Sequence, residues 1–250
     1  MIAIGKIYDD LNELAPFDTA EAFDNAGLLI GARNMEVETA GVCLDITPEV
    51  IKLAAMEGCG LIVSHHPVIF QPLRSMHPGS APYLLAKYGI SAICVHTNLD
   101  KAEGGVNSAL SECLRLQNIR PLPFGMGRIG ETERDFNTKK FAVYVKECLG
   151  CGVVSFAGER ERIRTVALCG GAGFSEDYDA AITAGADAFV TGEAKHHEYL
   201  YARECGVPVF AAGHFHTENV VVPALENRLR EHFPELHVIR FPQQSPEQFI

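Results

Sequence analysis

Two stretches of the chain run through the same series of segments, and this repetition limits the fold more than any other feature. The first stretch has an apolar run ending near Cys43 (AGVCL), a helical segment, Gly60, a second apolar run (GLIV), then Ser64 and His65-His66. The second has an apolar run ending at Cys169 (RTVALC), a helical segment, Gly185, the run ADAFV, then Thr191 and, after a short insertion, His196-His197. Each continues with a helix, a glycine (Gly89 or Gly206) and a further apolar strand. Each ends with a histidine four residues ahead of a carboxylate, His96…Asp100 in HTNLD and His214…Glu218 in HFHTE. Strand–helix–strand alternation implies strands that are at least partly parallel. The expectation is an α/β fold made of a duplicated pair of similar lobes related by a pseudo-dyad, with the functional site in the cleft between them.

Local signals fill in this frame. Ile7, Leu11 and Leu14 share one face of a helix over 5–15, which Pro16 ends. Thr47 is a good N-cap, followed by Pro48 at the first helical position and Glu49 in the first turn, for a helix reaching Gly58. Further helices are expected over 80–88 and 104–116, and strands over 27–31, 60–63 and 90–95. The stretch 120–160 differs: Pro121, Pro123, Gly125, Gly127 and Gly130 precede two strand-like runs, KKFAVYVKE (139–147) and GVVSFAG (152–158). It reads as an antiparallel or mixed element joining the halves. The expected lobes are 1–119 and 120–250, with the segment after about 220 a candidate to pack back on the first.

Composition narrows the function class. A chain of 250 residues that is 47% hydrophobic and 21% charged has a globular make-up. Lys plus Arg number 21 against 32 Asp plus Glu, so the net charge is 21 − 32 = −11. That counts against phosphate-gripping as the main role and disfavours nucleic acid as a partner, unless a groove is locally basic. The N-terminal MIAIGKIYDDLNELAPFD lacks a secretory pattern, and no apolar stretch approaches the ~20 residues of a membrane span. A cytoplasmic protein with reduced cysteines is expected. Cys43, Cys94 and Cys169 lie inside apolar runs, as small core residues do. Cys148 and Cys151 form a single CxxC, readable as metal or redox chemistry or as a strand end and turn.

The histidines are not scattered. Eight of the ten fall at or near the repeated strand ends: 65, 66, 77, 96, 196, 197, 214 and 216. Ligands in open α/β sheets bind outside the carboxyl ends of strands. His65 and His66 leave such an end directly, and adjacent residues leaving a strand point in different directions, so two neighbouring metals could take one each. Pro67 fixes the backbone behind them. Asp100 and Glu218 add hard oxygen donors, a mixture that suits Zn, Mn, Fe or Co better than Ca. Two such ions can activate water and polarise a carbonyl or phosphoryl group. Ordinary readings stand beside these. Asp100 could cap a turn, Glu218 could be a first-turn helix acid, and His196-His197 could start a surface helix. His77, His216, His232 and His237 read as plain surface or core residues. His96 is open among ligand, ligand support and proton transfer. The glycine-rich CGGAGFS (169–175) is either a backbone cradle for a phosphate or a tight turn. Asp24, Asn25 and Gly27 read as a turn before a strand, with cleft lining as the alternative.

The ordered set FDNAGLLIG, SHHPVIF, HTNLD, TGEAKHH and GHFHTE resembles the Nif-three-like family of dinuclear metal-centre proteins, often labelled GTP cyclohydrolase I type-two homologues. Phe23 stands where that family commonly has Trp, and the joining stretch is short, as in members without an inserted domain. The resemblance implies a toroidal homohexamer, a trimer of dimers, and two divalent ions per subunit (Zn, Fe or Mn). By motif the ligands would be His65, His66, Asp100, His214 and Glu218, with Glu218 bridging. His96 would lie beside them as a proton-transfer or supporting group. The leading expectation is a metal-dependent hydrolase, cyclohydrolase-like, acting on a small nucleotide-like or heterocyclic substrate. The alternative is a metallochaperone or metal-storage and regulatory protein without turnover.

Overall fold

The structure, a computed structural model, describes residues 1–123, 125–173 and 175–250. In chain order the elements begin β1 (Ile2–Ala3), α1 (Ile4–Leu14), β2 (Gly27–Ile30), β3 (Glu36–Val37), β4 (Thr39–Cys43), α2 (Pro48–Met56), β5 (Leu61–Ser64), α3 (Ala81–Tyr88), β6 (Ser91–Cys94) and α4 (Thr97–Lys101). They continue α5 (Val106–Cys113), β7 (Gln117–Pro121), β8 (Arg128–Phe136), α6 (Thr138–Leu149), β9 (Ser155–Ala157), β10 (Ile163–Cys169), α7 (Ser175–Thr183), β11 (Ala188–Thr191), α8 (His196–Cys205), β12 (Val209–Ala211) and α9 (His214–Glu218). The chain closes with α10 (Val222–His232) and β13 (His237–Arg240). Two compact units result: one comprises 1–105 and 222–243, the other 106–221 and 244–250.

The first unit is built on a five-stranded sheet in the order β13-β4-β5-β6-β2. Its strands β13, β4, β5 and β6 are parallel, and β2 is an antiparallel edge on β6. The helices α2 and α3 cover one face with Ile51, Ala54, Leu84 and Leu85, all buried. Ile51, Leu84 and Leu85 each contribute about 1.5–3 kcal/mol through removal from water. Thr47 caps α2 as its sequence requires, Oγ1 accepting the Val50 N–H at 3.3 Å. Helix α1 buries Ile4, Ile7 and Leu11, and is tied to α10 by Arg228 Nε donating to Asp10 at 2.9 Å.

The second unit has six strands in the order β7-β8-β10-β11-β12-β9. The parallel centre β10-β11-β12 repeats β4-β5-β6, and β9 is antiparallel on β12 as β2 is on β6. The repetition seen in the sequence is therefore a repetition of topology, differing on the other side: β13 runs parallel to β4, whereas β8 runs antiparallel to β10. Leu110, Leu114, Phe141 and Val145 pack on one face of this sheet, and Tyr178, Ala181 and Ala202 on the other.

The run 139–147 corrects the sequence reading. It forms α6, not a strand. Phe141, Val143 and Val145 alternate as a strand would, but Asn137 accepts the Lys140 N–H at 3.0 Å as an N-cap and Gly150 ends the helix in the left-handed conformation (φ 59°). Phe141, Ala142 and Val145 then bury one helical face, while Val143 is exposed. Of the run 152–158 only Ser155–Ala157 is strand. Cys148 accordingly lies in the last turn of α6, and Cys151, just beyond the cap, packs into the core. Burial pushes the Cys151 thiol pKa up. Neither cysteine of the CxxC is in a disulfide.

Candidate metal centre

In each unit the parallel strands end together. Ser64 pairs with Cys43 and Cys94, and Thr191 pairs with Cys169 and Ala211. The backbone beyond these ends is held alike: Val95 donates to Ser64 O and Ala212 to Thr191 O, both at 2.9 Å. His66 N donates to Leu44 O at 3.0 Å, and Glu193 N to Gly171 O at 2.9 Å. The residues matching His65-His66 are therefore Gly192-Glu193, not His196-His197. Those two histidines are exposed at the start of α8, the surface helix start of the ordinary reading. The third strand ends also differ by one position from the sequence reading. His96 precedes α4 where Gly213 precedes α9, and Gly213 takes that place with φ 93°. His214 is thus one residue later in its helix than His96.

The first unit gathers three imidazoles. Ligand nitrogens of His65, His66 and His96 lie within 4.8 Å of one another, and their ring centroids are 5.0–5.6 Å apart. His65 is fully buried; His66 and His96 are half-buried. The turn is fixed from behind by Ser64 Oγ donating to His66 O (2.8 Å) and Cys94 Sγ donating to His65 O (2.9 Å). Asp100, in α4, brings Oδ1 to 3.6 Å from His65 Nε2. Phe70 meets the His96 ring edge-on at 6.1 Å. In the second unit His214 opens α9 and Glu218 ends it, with Nε2 and Oε2 2.9 Å apart; Glu218 is buried and His214 half-exposed.

Each of these four histidines is held through Nδ1. His65 Nδ1 donates to Val95 O at 2.9 Å, while His66 Nδ1 meets Asp45, His96 Nδ1 meets Asp24 and His214 Nδ1 meets Glu193, each at 2.7 Å. A carbonyl or carboxylate can only accept, so Nδ1 carries the proton; in His65, His66 and His96 the ring then presents Nε2 as its ligand atom, while His214 turns Nε2 to the Glu218 carboxylate. That is the tautomer and orientation a metal-binding imidazole needs. Asp100 adds an oxygen donor in the first unit and Glu218 one in the second, and the donors of each unit fit a borderline divalent cation in chemistry.

Asp24, Asp45 and Glu193 are the site residues that residue-by-residue reading missed or left undecided. Asp24 reads in the sequence as part of a turn, with cleft lining as the alternative. Its carboxylate is buried, which raises its pKa, but His96 and Thr97 more than offset this by hydrogen bonding (Thr97 Oγ1 at 2.5 Å, N at 3.1 Å), so it stays below the usual carboxylate range. Asp45 follows β4 and holds the histidine following β5; Glu193 follows β11 and holds the histidine following β12. The shared signal is an acid just beyond one strand end and a histidine beyond the next.

The glycine-rich turn makes room for an acid of the site. A Cβ on Gly171, which has φ +63°, would come within 2.1 Å of Glu218 Oε1, and one on Gly192 within 2.4 Å of Gly171 O. The turn is small so that Glu218 can lie against it. Phe174 and the Ser175 side chain of this motif lie outside the described residues. Among the described residues, no helix is long and apolar enough to cross a membrane.

Residues 2–246 match the model of the Duf34/NIF3 (NGG1p interacting factor 3) family. A Methanocaldococcus jannaschii protein named GTP cyclohydrolase 1 type 2 homolog is 31% identical over 85% of this chain and 88% of its own length. A Clostridium perfringens protein of the same name is 29% identical over 91% of each chain. The crystal structure of Staphylococcus aureus protein SA1388 superposes with a TM-score of 0.93 at 29% identity, covering 100% of this chain and 99% of the other. With its two α/β lobes, its strand-end histidines and this match over nearly its full length, the chain belongs to the DUF34/NIF3 family.

Proposed function

We propose that the chain is a dinuclear metalloprotein whose ligands are His65, His66, Asp100, His214 and Glu218, and that it hydrolyses a small nucleotide-like or heterocyclic substrate. The observation that carries the proposal is the common state of the four histidines, each fixed through Nδ1 by an acceptor. The names of the relatives point the same way, to cyclohydrolase-like chemistry. Two bound ions of Zn, Fe or Mn would supply Lewis acidity and an activated water. The chain's own groups supply the rest. Asp24 holds the His96 ring in place through Nδ1, so that Nε2 is the atom at which His96 would take up or give back a proton. Phe70 offers an apolar face beside that ring for a flat substrate. A toroidal homohexamer in the cytoplasm belongs to the same proposal, and sedimentation at six times the chain mass is its check.

Elemental analysis of His65→Ala and Glu218→Ala tests the ligand set: both should lose bound metal. Unchanged metal content would remove these residues from the site. Screening metal-loaded protein against nucleotides and pterins tests turnover. Activity abolished by Glu218→Ala supports the hydrolase. Metal binding with no turnover across the panel supports instead a metallochaperone or metal-storage role.

A further inference from the structure

Strand β13 pairs with β4 as far as Arg240 and Val42, and the Phe241 N–H still donates to Val42 O at 3.0 Å. There the backbone ladder stops, but the pairing continues through a side chain. Gln243 Oε1 accepts the N–H of Leu44 at 2.8 Å and of Asp45 at 3.0 Å, and Gln243 Nε2 donates to Asp45 O at 2.9 Å. One amide thus satisfies three backbone groups of a two-residue turn 199 positions earlier in the chain. Those two residues are the ones that hold His66: Leu44 O accepts the His66 N–H, and the Asp45 carboxylate accepts from Nδ1. The second unit pins its corresponding strand exit by side chains as well, with Asn107 Oδ1 accepting Gly170 N–H at 2.8 Å and Thr217 Oγ1 accepting Gly171 N–H at 3.1 Å.

We infer that Gln243 is a positioning residue for His66. It fixes the 44–45 turn, the turn fixes the Asp45 carboxylate, and the carboxylate sets the tautomer and direction of the imidazole. Nothing else joins the end of β13 to this turn among the hydrogen bonds described, so the segment after β13 is part of the metal centre's support. The inference rests on the metal reading only where affinity is concerned; the state of the ring is a property of the metal-free protein.

The test uses the full chain as Gln243→Ala, Gln243→Glu and His66→Ala, each checked for folding by its thermal melt. In metal-free protein, imidazole ¹⁵N spectra of Gln243→Ala should show His66 losing its single Nδ1–H tautomer, and the Leu44 and Asp45 amides should exchange faster. Zn²⁺ affinity should fall roughly tenfold, the lower end of what removing a ligand's supporting group costs. Gln243→Glu keeps the acceptor for both N–H groups and loses the donor, so it should retain amide protection and fall between wild type and Gln243→Ala in both ring signature and affinity. If Gln243→Ala folds and leaves the His66 ring signature at wild type, the inference is wrong, whatever the metal does. If the ring signature changes but Zn²⁺ affinity is the same in wild type, Gln243→Ala and His66→Ala, the positioning role stands and the metal reading fails.

Discussion

The two units share a β-α-β-α-β centre and even individual hydrogen bonds beyond its strand ends, yet they equip those ends differently. Where the first unit places His65 and His66, the second places Gly192 and Glu193; where the first places His96, the second places Gly213. The first therefore presents three imidazoles and the carboxylate of Asp100. The second presents one imidazole and the buried carboxylate of Glu218, which lies against Gly171. The repeat keeps the scaffold that aims the strand ends while each copy carries different donor side chains on it. Function resides in the grafted residues, not in the fold that both units share.

The largest effect should come from undoing this division at its tightest point. Gly192→Ala would set a methyl group 2.4 Å from Gly171 O and 2.9 Å from His214 Cα, both on backbone that a rotamer change cannot move. Overpacking of that kind costs about 3 kcal/mol, seen as a lower urea midpoint. Gly58→Ala, where nothing lies within 4 Å, is the control: it meets only its backbone preference (φ +71°) and should cost about 1 kcal/mol. Equal losses in the two variants would mean that the second unit does not depend on the close approach of Gly171 and His214 to Gly192.

Next in size are the acids that hold the histidines. Asp45→Ala in one unit and Glu193→Ala in the other remove the supports of His66 and His214, which meet Nδ1 at the same 2.7 Å from different strand ends of the repeat. Each should weaken Zn²⁺ binding about 10–100-fold while leaving the thermal melt of the metal-free protein nearly unchanged. An effect from one unit alone would show that the two supports, alike in geometry, are not alike in use.

How much of this the sequence shows depends on how local each cause is. The Thr47-Pro48-Glu49 start of α2 is legible because a cap reaches only three residues. The SHHP pair is legible because two histidines directly after a buried strand must leave it at its end. The fate of 139–147 is harder: Phe141, Val143 and Val145 satisfy a strand while Phe141, Ala142 and Val145 satisfy a helix, and only the flanking Asn137 and Gly150 decide. Asp45 and Glu193 carry no local period at all. Each acts on a histidine 21 residues away, brought to 2.7 Å by the pairing of neighbouring strands. The off-by-one match of His96 with Gly213 likewise needs the strand register, which spacing alone does not fix once an insertion intervenes.

A smaller effect tests whether α6 is held by its own ends. Asn137→Ala removes the cap on Lys140 N–H and should cost about 1 kcal/mol, matched in the first unit by Thr47→Ala. If only Thr47→Ala is costly in urea unfolding, α6 is held by the packing of Phe141 and Val145 and not by its cap.

The smallest effect contrasts the first-turn acids of two corresponding helices, Glu49 on α2 and Asp177 on α7. Glu49 is exposed; its own backbone N–H and the Thr47 side chain hold its pKa below the ordinary 4.5. Asp177 is buried, and burial pushes its pKa above the ordinary 3.8, with the Gly127 N–H (2.8 Å to Oδ1) and its other hydrogen bonds offsetting only part. The two therefore act on stability with opposite sign. For Glu49 the folded state favours the charged form, so its contribution is present above the unfolded value and lost as pH falls through the folded one. For Asp177 the folded state favours the proton, so its contribution is present below the unfolded value and lost as pH rises through the folded one. Asp177→Asn keeps an oxygen for the Gly127 N–H and removes the titration, and should gain on wild type as pH rises from 3.8. Glu49→Gln should gain on wild type as pH falls below 4.5. Melts taken across this range should show the two stability differences moving in opposite directions; parallel movement would mean that the buried acid of the second unit is held charged after all.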